Sequence, residues 1–210
     1  MKIIEKLEPS RHVQGRFLVW FSGEKEPVRV TENEVLAFAL YQGRELDDES
    51  YAQLLTSGGL SSAKARGAKM LGERPLSKKE LIKRLREKGE AEGDAQAAAD
   101  WLEEIGALSD GEYARSIVRH YSARGYGAQK LRYELQRRGI DRDLWEAALE
   151  EQSDPVDRVI HFLDSRLRGR IPEEKELGRV TNALLRRGFR WDEIRTGLAR
   201  YGAEIEEESL

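Results

Sequence analysis

From about residue 30 onward the apolar positions of this chain recur at intervals of three and four, the period of helices with one buried face; before it they cluster as in strands. Lys2 to Leu7, Val13 to Phe21 and Pro27 to Val30 are rich in Ile, Val, Phe and Trp. The intervening Ser22-Gly23-Glu24-Lys25-Glu26 reads as a hairpin turn, so a small β-structure is predicted to open the chain. Thr31-Glu32-Asn33-Glu34 is a capping box for a helix through Val35, Leu36, Phe38, Ala39 and Leu40, ended by Gly43. A second helix, from Asp48 to Leu55, is expected to stop before a Gly58-Gly59 break.

The helical part repeats itself. Leu81-Ile82-Lys83-Arg84-Leu85-Arg86-Glu87-Lys88-Gly89 recurs as Leu131-Arg132-Tyr133-Glu134-Leu135-Gln136-Arg137-Arg138-Gly139, and again as Val180-Thr181-Asn182-Ala183-Leu184-Leu185-Arg186-Arg187-Gly188. Each copy has an aliphatic pair four residues apart and a terminal glycine suited to a left-handed helix cap. Helices are expected before each copy, from about Ser61 to Leu71, Asp110 to Ala123 and Pro155 to Leu167. Third helices follow, centred on Ala98/Trp101/Leu102/Ile105, Leu144/Trp145/Ala148/Leu149 and Trp191/Ile194/Leu198, with the three tryptophans in the core. Ser77 and Ser109 open S-x-x-E boxes, and Pro155 and Pro172 are placed to begin helices. A three-helix unit cannot bury its apolar faces alone, so the units should stack. The expected fold is mainly α: tandem three-helix repeats forming an elongated curved solenoid, with a small N-terminal β-hairpin/helix region. The expected divisions are residues 1–59 for the hairpin and its helices, 60–108, 109–152 and 153–203 for the three repeats, and 204–210 for an acidic tail.

Composition narrows this picture. A chain of 210 residues without cysteine has neither disulfides nor thiolate metal sites, and its charged opening Met1-Lys2-Ile3-Ile4-Glu5-Lys6-Leu7 has no signal-peptide core, so a cytoplasmic protein without membrane contact is expected. The net charge of −3 gives no overall basicity, but charge is striped. Lys64 to Gly89 holds ten cations against three anions; Glu90 to Glu112 holds eight anions and no Lys or Arg; Ala114 to Gly139 holds seven cations against Glu134 alone.

The run Glu73-Arg74-Pro75-Leu76-Ser77-Lys78-Lys79-Glu80-Leu81, closing at Lys88-Gly89, resembles the R-x-x-S-x-x-E-L … L-x-x-K-G signature of the RecX family. Leu108-Ser109-Asp110-Gly111-Glu112-Tyr113-Ala114 is similar to that family's L-x-D-x-x-[YF]-A opening. Arg124-Gly125-Tyr126-Gly127, followed by Leu131, Leu135 and Gly139-Ile140, is similar to its G … L-x-x-x-L-x-x-x-G-I continuation. The ordered set across two tandem units carries the resemblance, which spans roughly Ser61 to Glu150 and loosens in the third unit. It implies tandem three-helix units that bind the RecA recombinase filament in its groove, limiting filament growth, ATPase and strand exchange. Such a protein would act in homologous recombination, DNA repair and the SOS response. It would be a monomer without cofactor, meeting single- or double-stranded DNA weakly or within the filament.

With Leu81 at zero and about 100° per residue, Leu85 and Ile82 define a core face, and Lys79, Lys83 and Arg86 fall near 160°, 200° and 140°, on one outer flank. These cations, with Lys78, Arg124, Lys130, Arg137, Arg138, Arg186 and Arg187, are the candidates for contact with DNA phosphates or an acidic filament surface, since each neutralised phosphate releases counterions. The alternative for each is a solvated helix face, and for Arg186 and Arg187 service to the helix macrodipole. Tyr126 and Tyr133 are expected to pack between units, and His161, beside Phe162, partly in the core. His12, His120 and His161 lack metal-ligand spacing, and no P-loop or nucleophile elbow occurs, so no catalytic, cofactor or metal site is predicted. Two other readings stay open: a direct DNA-binding helical module, and a helical-repeat scaffold for another protein.

Overall fold

A computed structural model describes residues 1–11 and 15–203. His12, Val13 and the acidic tail from Glu204 lie outside the described residues. The chain divides into two compact units, Met1–Ser109 and Asp110–Leu210. It is mainly helical with strands only near its N-terminus among the described residues, as the period of its apolar positions predicts.

In the first unit, β1 (Lys2–Pro9), β2 (Arg16–Phe21), β3 (Val28–Thr31) and β4 (Glu45–Leu46) form an antiparallel sheet of order β3-β2-β1-β4. The expected hairpin is thus two strands of a larger sheet. The short β4, too brief to leave a sequence signal, pairs with Lys2 and Ile3. A bulge between Ile4 and Lys6 resets the β1–β2 register. Ile4, Val19, Phe21 and Val30 turn to one face and bury against Leu40, Leu46 and Leu54. Helix α1 (Glu32–Ala37) starts at the predicted Thr31/Glu34 capping box but ends short of Leu40, because the chain turns at Phe38 and Ala39 takes a left-handed φ of 46°.

Helix α2 (Asp48–Glu73) runs without interruption through Gly58 and Gly59, so the predicted break is absent and the two short helices expected there are one. Its 26 residues span about 39 Å. The glycines are there for close approach rather than for a turn. A Cβ at Gly58 would lie 3.0 Å from the Arg29 carbonyl oxygen of β3, one at Gly59 would collide with the Asp94 carboxylate, and one at Gly67 would lie 2.8 Å from Leu102 Cδ1. The helix therefore serves two cores: Leu54 packs under the sheet, while Ala63 packs with α3 (Lys78–Glu87) and α4 (Glu92–Glu104).

The α4 face is small and flat. Ala95, Ala98, Ala99 and Leu102 are buried, whereas Ile105, expected on the core face, caps the helix and is 54% exposed. Trp101 is only half-buried at the rim, with the Lys64 ammonium 4.6 Å from its ring centre. At the start of α3 the Ser77 hydroxyl accepts from the Glu80 N–H at 3.1 Å. The Glu80 carboxylate is engaged by Arg74 and Arg84.

The second unit contains α5 (Asp110–Ala123), α6 (Ala128–Arg137), a 3₁₀ turn at Arg142–Leu144 leading into α7 (Trp145–Leu149), α8 (Pro155–Leu167), α9 (Glu174–Arg186) and α10 (Trp191–Tyr201). One core gathers Ala114, Ile117, Val118, Leu131, Leu135, Ile140, Trp145 and Ala148, and another gathers Val159, Leu163, Leu167, Leu184, Phe189, Ile194 and Leu198. Gly89, Gly139 and Gly188 all take positive φ (87°, 71° and 85°), so each sequence copy ends in the predicted left-handed cap. Pro155 opens α8 as expected. Pro172 does not open a helix: α9 starts at Glu174, after the left-handed Arg168 and Gly169 end α8.

Of the three expected core tryptophans only Trp145 is buried, its indole N–H donating to the Ile140 carbonyl at 3.0 Å. Trp191 stands at the first turn of α10 and is half-buried. His161 is exposed rather than partly in the core, because its position on α8 turns away from Phe162 and Leu163.

Candidate functional site

The ten predicted cations fall into three environments. On α3 the residues opposite Leu81 and Leu85 face solvent, as the helical wheel requires. Lys79 is exposed and forms no ion pair among the described residues. Lys83 and Arg86 make only loose surface pairs, with Glu87 at 3.8 Å and Glu92 at 3.3 Å, and their side chains stay 76% and 55% exposed. Exposed pairs of this kind contribute about 0–1 kcal/mol, so the cations remain available to a polyanion. Lys78 differs from its neighbour. It bridges to α4 through Asp100 at 2.7 Å and Glu103 at 2.6 Å, and these hydrogen bonds raise its ammonium pKa and lock α3 to α4.

On α6 the predicted cations converge on one carboxylate. Glu134 is buried, and Lys130 at 3.0 Å, Arg137 at 2.9 Å and Arg138 at 2.6 Å all reach it. Burial pushes the Glu134 carboxyl up, but hydrogen bonds from these three cations and Tyr121 outweigh it and hold the pKa at about 2. Three positive charges are thus partly spent on a buried negative one. Glu134 is the residue that the sequence reading missed, although the signal is there: cations stand four before, three after and four after it, all on one side of a helix. Tyr133, expected between units, is 55% exposed, with the Lys130 ammonium 4.6 Å from its ring centre.

Arg124 and Arg187 belong to a joint inside the second unit. The Arg187 guanidinium donates to the Arg124 carbonyl at 2.8 Å and the Gly125 carbonyl at 3.1 Å, and lies against the Tyr126 and Phe162 rings. The Gly127 N–H donates to the Arg187 carbonyl at 2.8 Å, and the Gln129 N–H to the Gly188 carbonyl at 3.1 Å. The carbonyl end of α9 thereby satisfies the donor end of α6, which has no side-chain cap of its own. The approach requires glycine on both sides: a Cβ at Gly127 would overlap the Gly188 carbonyl, and one at Gly188 would lie 2.5 Å from the Lys130 nitrogen. Tyr126 packs in this joint as expected, its carbonyl accepting from Arg158 at 2.9 Å. Arg124 keeps its guanidinium exposed beside His120, and Arg186 is exposed without an ion pair among the described residues.

No described helix is long and apolar enough to cross a membrane, and the described residues hold no His/Cys/Asp/Glu group fit for a metal ion. What they do hold is a set of short amphipathic helices carrying cations outward, in a mainly helical protein. The sequence profile described as the second three-helix domain of RecX matches residues 109–149. The chain is 33% identical over 141 residues to the regulatory protein RecX of Chromobacterium violaceum, covering 66% of this chain and 90% of that one. It is 32% identical over 127 residues to the regulatory protein RecX of Pseudomonas entomophila, covering 60% and 82%. A crystal structure of a regulatory protein RecX superposes with a TM-score of 0.67 at 24% identity, over 92% of this chain and 97% of that one. The chain belongs to the RecX family of regulatory proteins.

Proposed function

We propose that this protein binds a RecA-type recombinase filament on DNA and restrains its growth, ATPase and strand exchange by occupancy rather than by catalysis, in the cytoplasm. Membership of a regulatory family supports the reading. The observation that carries it is the outward stripe of Lys79, Lys83 and Arg86 on α3, cations that the fold leaves facing solvent opposite a fully buried Leu81/Leu85 face. A filament of protein on DNA offers phosphates and acidic surface along a groove, and a row of exposed, loosely paired cations meets both without a preformed pocket. The three trios, residues 60–108, 109–152 and 153–203, would then act as successive contact modules. Of the remaining candidates, the exposed Arg124 and Arg186 would contribute directly. Lys78, Lys130, Arg137, Arg138 and Arg187 would contribute through the helices that they fasten.

The test is inhibition of recombinase ATPase and strand exchange by the wild type and by Lys79→Ala/Lys83→Ala/Arg86→Ala. The variant should keep its helicity, weaken inhibition by about tenfold or more and flatten its dependence on salt, since up to three counterion-releasing contacts are lost. Full inhibition by the variant would dispose of this surface, and tight sequence-selective binding to bare duplex would favour the DNA-binding module instead.

A further inference from the structure

A second row of cations stands on α9, where Lys175, Arg179 and Arg186 are all exposed and none has an ion pair among the described residues. With Lys175 at zero and about 100° per residue, Arg179, Asn182 and Arg186 fall near 40°, −20° and 20°. The buried Val180, Thr181 and Leu184 lie near 140°, 240° and 180°, so the row points directly away from the core. It extends about 16 Å along the helix. The acidic residues of this helix stand off it: Glu174 and Glu176 lie about 100° to either side of Lys175, and Glu176 is held by Arg170 at 3.1 Å.

Intramolecular explanations fail for this row. Lys175 and Arg179 are like charges four residues apart, a destabilising arrangement on a helix, and Lys175 sits in the first turn, where the macrodipole disfavours a cation. Only Arg186, in the last turn, is favoured by the dipole. An external polyanion would supply the missing counter-charge. Protein interfaces are organised around aromatic or large apolar anchors with charge depleted at their centre. Here the row carries three cations, one amide donor and no aromatic ring, with the part-exposed Leu185 at its flank.

We infer that the outer face of α9, through Lys175, Arg179, Asn182 and Arg186, binds the phosphate backbone of a nucleic-acid strand without reading its sequence. With three cations along its length, the row can neutralise up to about three phosphates of one strand. The row stands on a different helix from the α3 stripe, shares Arg186 with the proposed filament contacts, and needs no recombinase.

The test uses the full chain and two labelled probes, an oligothymidylate and poly-L-glutamate, titrated over a salt series by fluorescence anisotropy. Lys175→Gln/Arg179→Gln/Arg186→Gln should weaken oligothymidylate binding by about tenfold or more and lower the log–log salt slope by about 2, with a smaller loss on poly-L-glutamate. The charge-conserving Lys175→Arg/Arg179→Lys/Arg186→Lys should retain the wild-type slope, and circular dichroism should report unchanged helicity for both. An unchanged slope, a wild type that does not bind the oligothymidylate, or a loss as large or larger on poly-L-glutamate would overturn the assignment; the last outcome would indicate an acidic protein surface. Because no recombinase enters the assay, none of these results bears on the α3 reading.

Discussion

Replacing Glu134 with glutamine removes the charge on which α6 is organised while keeping its shape. Its carboxyl is held at about 2 against an ordinary 4.5. At about 1.36 kcal/mol per unit, the charged form stabilises the second unit by about 3 kcal/mol at neutral pH. The folded value lies below the unfolded one, so this stabilisation is complete above about pH 5, declines as pH falls from 4.5 towards 2, and is gone below that. Glu134→Gln should therefore be about 3 kcal/mol less stable than wild type at pH 7, with Lys130, Arg137 and Arg138 left to repel one another, and the gap should close on acidification. Urea denaturation followed by circular dichroism at neutral and acid pH measures the gap. With an m-value of about 2 kcal/mol/M the midpoint should fall by ~1.5 M at pH 7. Equal midpoints at pH 7, or a gap that persists undiminished near pH 2, would refute the argument that a buried carboxylate holds this cluster.

Other expectations follow from the same geometry. Gly127→Ala should cost more than about 2 kcal/mol in thermal unfolding because its Cβ meets backbone rather than a mobile side chain, whereas Gly178→Ala, with open space around it in α9, should stabilise by about 0.5–1 kcal/mol. Glu34→Ala should destabilise the first unit by about 1–3 kcal/mol, since the Thr31, Ser57 and Ser61 hydroxyls all donate to that buried carboxylate. Burial pushes the Glu34 carboxyl up and these donors pull it lower still, so its stabilisation, too, should be lost on acidification. Leu85→Ala, at a fully buried position under the α3 stripe, should cost about 2–5 kcal/mol in chemical denaturation.

The sequence by itself determined the helices of the repeats, their left-handed glycine caps at Gly89, Gly139 and Gly188, and the outward face of α3, because apolar period, cap chemistry and helical angle are local properties of the chain. It determined the charge of the candidate surfaces but not their availability. Lys79 faces water, whereas Lys130 is bound to Glu134; the sequence places that carboxylate four residues after Lys130, but its burial, which gathers Arg137 and Arg138 on it as well, is a property of the packing. Only the tertiary structure decided that Gly58-Gly59 lies inside α2 and that Gly127 meets Gly188. A glycine signals the absence of a side chain, and whether that absence admits a turn or a neighbouring backbone is settled by what packs against it.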